Sequence, residues 1–157
     1  MFRTICAMIF AVCLGSPAKA ETVGNFIVKT EKDPMDDSER YIAITVHKND
    51  AMAVRCLEGE LSLSFIVKTR ARVGDDVDIK FRLDSGPVTE AEGSVISVNG
   101  GLVGFETGTV DFITKMGAAR QLAIRWAISG VGTTASFDLR GISAVVAGAR
   151  KACKLKN

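Results

Sequence analysis

Leu61-Ser62-Leu63-Ser64-Phe65-Ile66-Val67 is the stretch on which the fold turns. Leu61, Leu63, Phe65 and Val67 alternate with Ser62, Ser64 and Ile66, the period-two pattern of a strand with one face in a core. Glu58-Gly59-Glu60 turns the chain just before it. The period returns at Val77, Ile79, Phe81 and Leu83, which alternate with Asp78, Lys80 and Arg82. That second strand is half-buried with a charged outer face, and it lies between the turn residues Gly74-Asp75-Asp76 and Asp84-Ser85-Gly86-Pro87.

Toward the N-terminus, Tyr41 to Val46 is β-rich and ends at the turn Lys48-Asn49-Asp50, and Met52 to Cys56 is a further short strand. Phe26-Ile27-Val28 reads as a strand followed by a polar loop from Lys29 to Glu39 that contains Pro34. Toward the C-terminus, Ser94 to Val98 and Leu102 to Phe105 flank Asn99-Gly100-Gly101. Asn-Gly there signals a tight hairpin, because both central positions of such a turn take positive φ. Thr109 to Ala119 is expected as a short helix with Thr109 as N-cap and Asp111 in its first turn. Leu122 to Ile128 and Ala135 to Leu139 read as strands joined through Ser129-Gly130-Val131-Gly132. Ile142, Val145, Val146, Ala149 and Cys153 recur on one face of a final helix. Arg150, Lys151 and Lys154 collect near its C-terminus, where they suit the macrodipole. The predicted class is mainly β (α+β): an antiparallel sheet or sandwich with one short helix and a C-terminal helix packed on it.

The first twenty residues read differently. Arg3 supplies a positive start, Ile5 to Leu14 an apolar run, and Ala18-Lys19-Ala20 small residues at −3 and −1 of a cut before Glu21. This is a secretory signal pattern, so 1–20 is expected as signal peptide and 21–157 as one exported β-rich domain. An uncleaved anchor is disfavoured by the shortness of the run, and a lipoprotein by the bulky Val12 before Cys13. No later apolar run approaches the ~20 residues that cross a bilayer. Loss of Arg3 and Lys19 brings the 20 basic residues level with the 18 acidic ones, which argues against a strongly basic nucleic-acid binder. Charge is still uneven. Glu21, Glu31, Asp33, Asp36, Asp37 and Glu39 make the mature start acidic, whereas Arg140, Arg150, Lys151, Lys154 and Lys156 make the end basic.

Export also removes Cys6 and Cys13. Cys56 and Cys153 remain, and in an oxidising compartment they form the natural disulfide pair. Such a bridge staples the last helix to the sheet and withdraws both thiols from nucleophilic chemistry.

A catalytic centre is not visible. His47 is the single histidine, near a strand end beside Lys48, and the chain has no Gly-x-Ser-x-Gly elbow. One histidine and a paired cysteine set do not make a zinc site. Asp33, Asp36, Asp37 and Glu39 offer oxygen ligands for calcium but lack EF-hand spacing and its glycine, so an ordinary loop is expected. Two carboxylates of a hydrolase can meet in space without a motif, and nothing here selects a pair. Gly100-Gly101 and Gly130-Val131-Gly132 lack the residues of a phosphate loop. Lys68, Arg70 and Arg72 alternate as a basic stripe, read first as protection of a strand edge. Trp126 is read as core. No catalytic, cofactor or metal residues are therefore expected.

Several segments together resemble the VasI-type accessory proteins associated with bacterial type VI secretion. They are Asp33-Pro34-Met35-Asp36-Asp37-Ser38 with the strand Tyr41 to Val46; Ala53-Val54-Arg55-Cys56; and Val77 to Gly86, ending Arg82-Leu83-Asp84-Ser85-Gly86. Phe112-Ile113-Thr114-Lys115-Met116 with Gln121 to Trp126, then Ala135 to Ile142, and Ala149-Arg150-Lys151-Ala152-Cys153 complete the order. The chain departs from that pattern at Gly24-Asn25-Phe26, where the family usually carries a tryptophan, and near Glu90 and Glu92, where an aromatic is often found. The resemblance implies an exported, non-enzymatic accessory or protein-interaction domain, periplasmic or secreted, with an envelope or secreted protein as partner. A secreted inhibitor or effector-like binder of an envelope target is the alternative, and an envelope hydrolase using carboxylates is a third.

Overall fold

The described residues form ten strands, most of them where apolar and polar residues alternate. The computed structural model of the protein describes residues 20–35, 37–107 and 110–155. The expected leader lies outside them apart from Ala20, as do Asp36 of the acidic cluster and the expected cap Thr109. The strands are β1 (Ala20–Val23), β2 (Phe26–Lys32), β3 (Glu39–His47), β4 (Asp50–Leu57), β5 (Glu60–Lys68), β6 (Asp76–Leu83), β7 (Val88–Asn99), β8 (Leu102–Thr107), β9 (Gln121–Ile128) and β10 (Val131–Asp138). Helix α1 (Val110–Met116) precedes β9, and α2 (Ile142–Ala152) closes the described chain. Every pairing is antiparallel, in one sheet of order β1-β2-β3-β4-β5-β8-β7-β6-β9-β10. The fold is thus mainly β with one short and one C-terminal helix, as the residue pattern predicts.

The sheet curls. Phe65 on β5 and Phe137 on β10 have ring centroids 6.1 Å apart. Five steps of a flat sheet would separate their strands by roughly 24 Å at about 4.8 Å per step. The two ends also meet: the Asn25 amide after β1 donates to the Arg140 carbonyl after β10 at 2.9 Å. This contact explains two glycines. Gly24 (φ 59°) and Gly141 (φ 94°) lie in the left-handed region, and a Cβ on Gly24 would collide with the Arg140 carbonyl, one on Gly141 with that of Val23.

The inner face holds one hydrophobic cluster. Leu61, Leu63, Phe65 and Val67 are buried in it, as are Val77, Ile79, Phe81 and Trp126. Phe65 stacks on Phe105 at 5.3 Å and Phe81 on Phe112 at 4.5 Å. Phe65, Phe81 and Phe105 are fully buried, and each removes enough apolar surface from water to stabilise by ~1.5–3 kcal/mol, whereas Phe112 is partly buried at the margin. Helix α2 buries Ile142, Val145, Val146 and Ala149. It lies on the inner face of β3 and β4, where Tyr41 and Cys56 are register partners. Cys153, at its C-terminal cap, is disulfide-bonded to Cys56.

Five expectations need correction. β2 continues to Lys32, where a loop was expected from Lys29, because Lys29 to Lys32 pair with Glu39 to Ile42. β7 starts at Val88, six residues before the predicted Ser94, held by pairing with β6 although its outer residues are exposed. The central turn positions are Gly100 and Gly101 (φ 57° and 84°), with Asn99 still in the strand. β10 starts at Val131 after the two-residue turn Ser129-Gly130 (φ 52° and 76°), and Leu139 lies beyond its end. Lys68 ends β5, which is flanked on both sides by β4 and β8, and Arg70 and Arg72 lie in the following loop; they protect no edge.

Candidate functional site

The outward-facing side chains of β3, β4, β5 and β8 are unusually apolar for a solvated sheet face. Register puts Val46, Ala51, Ile66 and Gly104 in one row across four strands. The adjacent row runs Ile27, Ile44, Ala53, Ser64 and Glu106. Ala51 and Gly104 in the first row and Ala53 in the second are small, so they form a low floor. Ile44, Ile66 and Ile96 stand around it, and together they enclose a groove of about 230 Å³. Ile96 reaches this face because the β7–β8 register shifts between Val95 and Ser97. The three isoleucines remain 38%, 45% and 41% exposed.

One end of the groove is ionic. Arg55 on β4 pairs with Glu106 on β8, across β5, where Ser62 and Ser64 are small enough to let the side chains meet. Ser64 Oγ and Arg55 Nε are buried without a hydrogen-bond partner among the described residues. The groove therefore offers branched apolar walls and a self-neutralised charge pair. Small-molecule pockets typically run to ~300–1,000 Å³ and enclose most of their ligand. This groove is smaller and open, a shape suited to apolar side chains presented by another protein.

The residues singled out from sequence are dispersed. Cys56 and Cys153 are bonded to each other beneath α2, on the opposite face of β4 from the groove. His47 is exposed at the end of β3, its ring edge-on to Phe137 at 6.5 Å. In the acidic loop, the Asp33 carboxylate accepts the Met35 amide at 2.9 Å and pairs with Arg40. Glu31 pairs with Lys29. The acidic start is thus partly neutralised by its own neighbours. Among the described residues no three His, Cys, Asp or Glu side chains stand together as a metal site. Trp126 is in the core. Gly100-Gly101 and Ser129-Gly130 are hairpin turns. No described helix is long and apolar enough to cross a membrane.

A second, cationic feature lies on the outer face of β6, β9 and β10. Lys80, Arg82, Ala123, Arg125 and Thr134 line a recess of about 270 Å³. Lys80 binds Glu90 at 2.6 Å, which holds the Glu90 carboxyl below the usual carboxylate range. Arg125 Nε donates to Thr134 Oγ1 at 3.3 Å, so its guanidinium leans toward β10.

Neither feature was anticipated as a site. The signal for the groove was present in Tyr41-Ile42-Ala43-Ile44-Thr45-Val46, where apolar residues occupy both faces of one strand. Compared against protein-family models, curated proteins and solved structures, the chain matches none of them.

Proposed function

We propose that this protein is an exported, non-enzymatic accessory domain that binds another envelope protein through the outer face of β3, β4, β5 and β8. Ile44, Ile66 and Ile96 converging on a floor of alanine and glycine carry the reading. A contiguous exposed apolar patch rimmed by polar residues supports a protein contact. The signal pattern of Met1 to Ala20 supports export, and the Cys56–Cys153 bridge suits an oxidising compartment. The resemblance to VasI-type proteins makes a type VI secretion apparatus the first place to look for the partner.

The test compares affinity-tagged wild type with Ile44→Asp and Ile66→Asp after cross-linking in the native envelope. A partner recovered with wild type and depleted with both variants supports the proposal. Equal recovery with all three, or no specific partner, refutes it. Circular dichroism checks that the variants fold, which their exposure at the surface favours.

A further inference from the structure

β10 ends the strand order; its second half lies beside β3, with Phe137 against His47, but its first half, Val131 to Thr134, is an edge without the usual defences. Among the described residues β10 pairs with β9 alone, in uninterrupted register from Val131↔Ile128 to Asp138↔Gln121. Its first six residues, Val131-Gly132-Thr133-Thr134-Ala135-Ser136, contain no charge and no proline. Val131 to Thr134 are all exposed, and among the described residues nothing hydrogen-bonds to their outer side. Natural sheets blunt such edges with charges, prolines, bulges or short strands, because unpaired N–H and C=O groups template a further strand. The other edge of this sheet is defended: β1 has four residues, carries Glu21, and ends against the Arg140–Gly141 backbone.

The side chains beside the open edge specify charge. Glu90, Lys80, Arg125 and Thr134 form one cross-strand row. Lys80 is engaged by Glu90. Arg82 and Arg125 have no carboxylate partner among the described residues, and Arg125 leans over Thr134 toward the edge. A residue added opposite Thr134 would sit about 4.8 Å further out, within reach of that guanidinium. We propose that β10 accepts an extended acidic segment of a partner protein as an eleventh strand, with Arg125 pairing with a carboxylate on its outward face. Main-chain hydrogen bonds would give affinity and the arginine would give charge preference, the division of labour of strand addition. A second copy of the chain fits less well, because pairing two β10 edges would place an Arg125 guanidinium on each side of the seam and offer neither a carboxylate opposite Thr134. This site is separate from the apolar groove and does not depend on it.

The probe is a fluorescein-labelled peptide of about ten residues alternating threonine and glutamate, read by anisotropy against the purified mature protein. Three changes follow: lysine for every glutamate, N-methylation of alternate backbone amides, and Arg125→Glu in the protein. Saturable binding of the threonine–glutamate peptide is expected. Arg125→Glu should weaken it roughly tenfold, since an exposed attraction becomes a repulsion. N-methylation should weaken it on the order of tenfold or more, since strand hydrogen bonds are lost. The lysine peptide should not bind, and Ile44→Asp should leave binding unchanged. Absence of binding overturns the proposal, as does binding indifferent to N-methylation or to Arg125→Glu. Concentration-dependent dimerisation abolished by Thr134→Pro would also overturn it, by assigning the edge to a second copy. Failure here with groove-dependent capture intact would remove the edge site and leave the accessory role standing.

Discussion

Gly148 on α2 rests against the ring of Tyr41 on β3, so closely that a Cβ there would lie 2.8 Å from Tyr41 Cε2 and 2.9 Å from its hydroxyl. Tyr41 is buried, with Cys56 as its cross-strand neighbour, which leaves its ring little room to give way. Glycine to alanine inside a helix ordinarily stabilises by about 1 kcal/mol. Here the overpacking, typically ~1–3 kcal/mol, should win. Gly148→Ala is expected to destabilise by about 1 kcal/mol in urea unfolding. The loss should shrink or reverse in a Tyr41→Leu background.

The Cys56–Cys153 bridge spans a sequence separation of 97. For a loop of about that length the chain-entropy account gives roughly 4.7 kcal/mol, and removal of native bridges from small domains costs ~2–5 kcal/mol. Cys153→Ser, or reduction, should lower stability by an amount in that range. Because α2 covers β3 and β4, its burial should be lost first. Hydrogen exchange along Ile142–Ala152 checks this, with accelerated exchange expected there before the β6–β9 pair responds.

Ser64 Oγ is buried without a hydrogen-bond partner among the described residues. Leaving a hydroxyl unsatisfied costs ~1–3 kcal/mol. Ser64→Ala should therefore raise stability by about 1 kcal/mol in thermal or urea unfolding. A loss of similar size would mean the hydroxyl is satisfied.

Acid response divides by residue. Asp138 is held below the usual carboxylate range, first by the Arg140 amide it accepts and then by the Arg140 guanidinium. Its folded value is below its unfolded one, so its stabilisation is complete above the ordinary aspartate range and is lost as pH falls through the folded value. Asp50 runs the other way, raised first by burial, against the opposing pull of His47 and Lys48. Its folded state holds the proton more tightly, so stability is lost as pH rises through the aspartate range. Asp50→Asn is expected to match or exceed wild type at pH 7 and lose that advantage in acid. Asp138→Asn should be weaker at pH 7 and show a flatter acid limb. Unfolding midpoints against pH test both signs.

What the sequence disclosed follows from how each residue is buried. The β5 and β6 alternations were legible because one face of each strand is core. The first half of β7, Val88-Thr89-Glu90-Ala91-Glu92-Gly93, has no apolar face to reveal it; it is a strand because β6 pairs with it. β1 and the end of β2 escaped for the same reason. The groove was hidden more deeply, because Ile44, Ile66 and Ile96 lie on three strands brought together only by register and by the shift at Val95/Ser97. Arg125 carried no motif at all. Its meaning depends on β10 being at the edge, which is a property of strand order.

The central claim is that the groove face meets another protein. The most direct measurement places a photo-crosslinking amino acid at Ile66 in the native host, with a control at exposed Glu58 in the β4–β5 turn. The account expects a discrete protein adduct from position 66 that is absent from position 58 and is lost when Ile44→Asp is added. No adduct from position 66, or the same adducts from both positions, would contradict it.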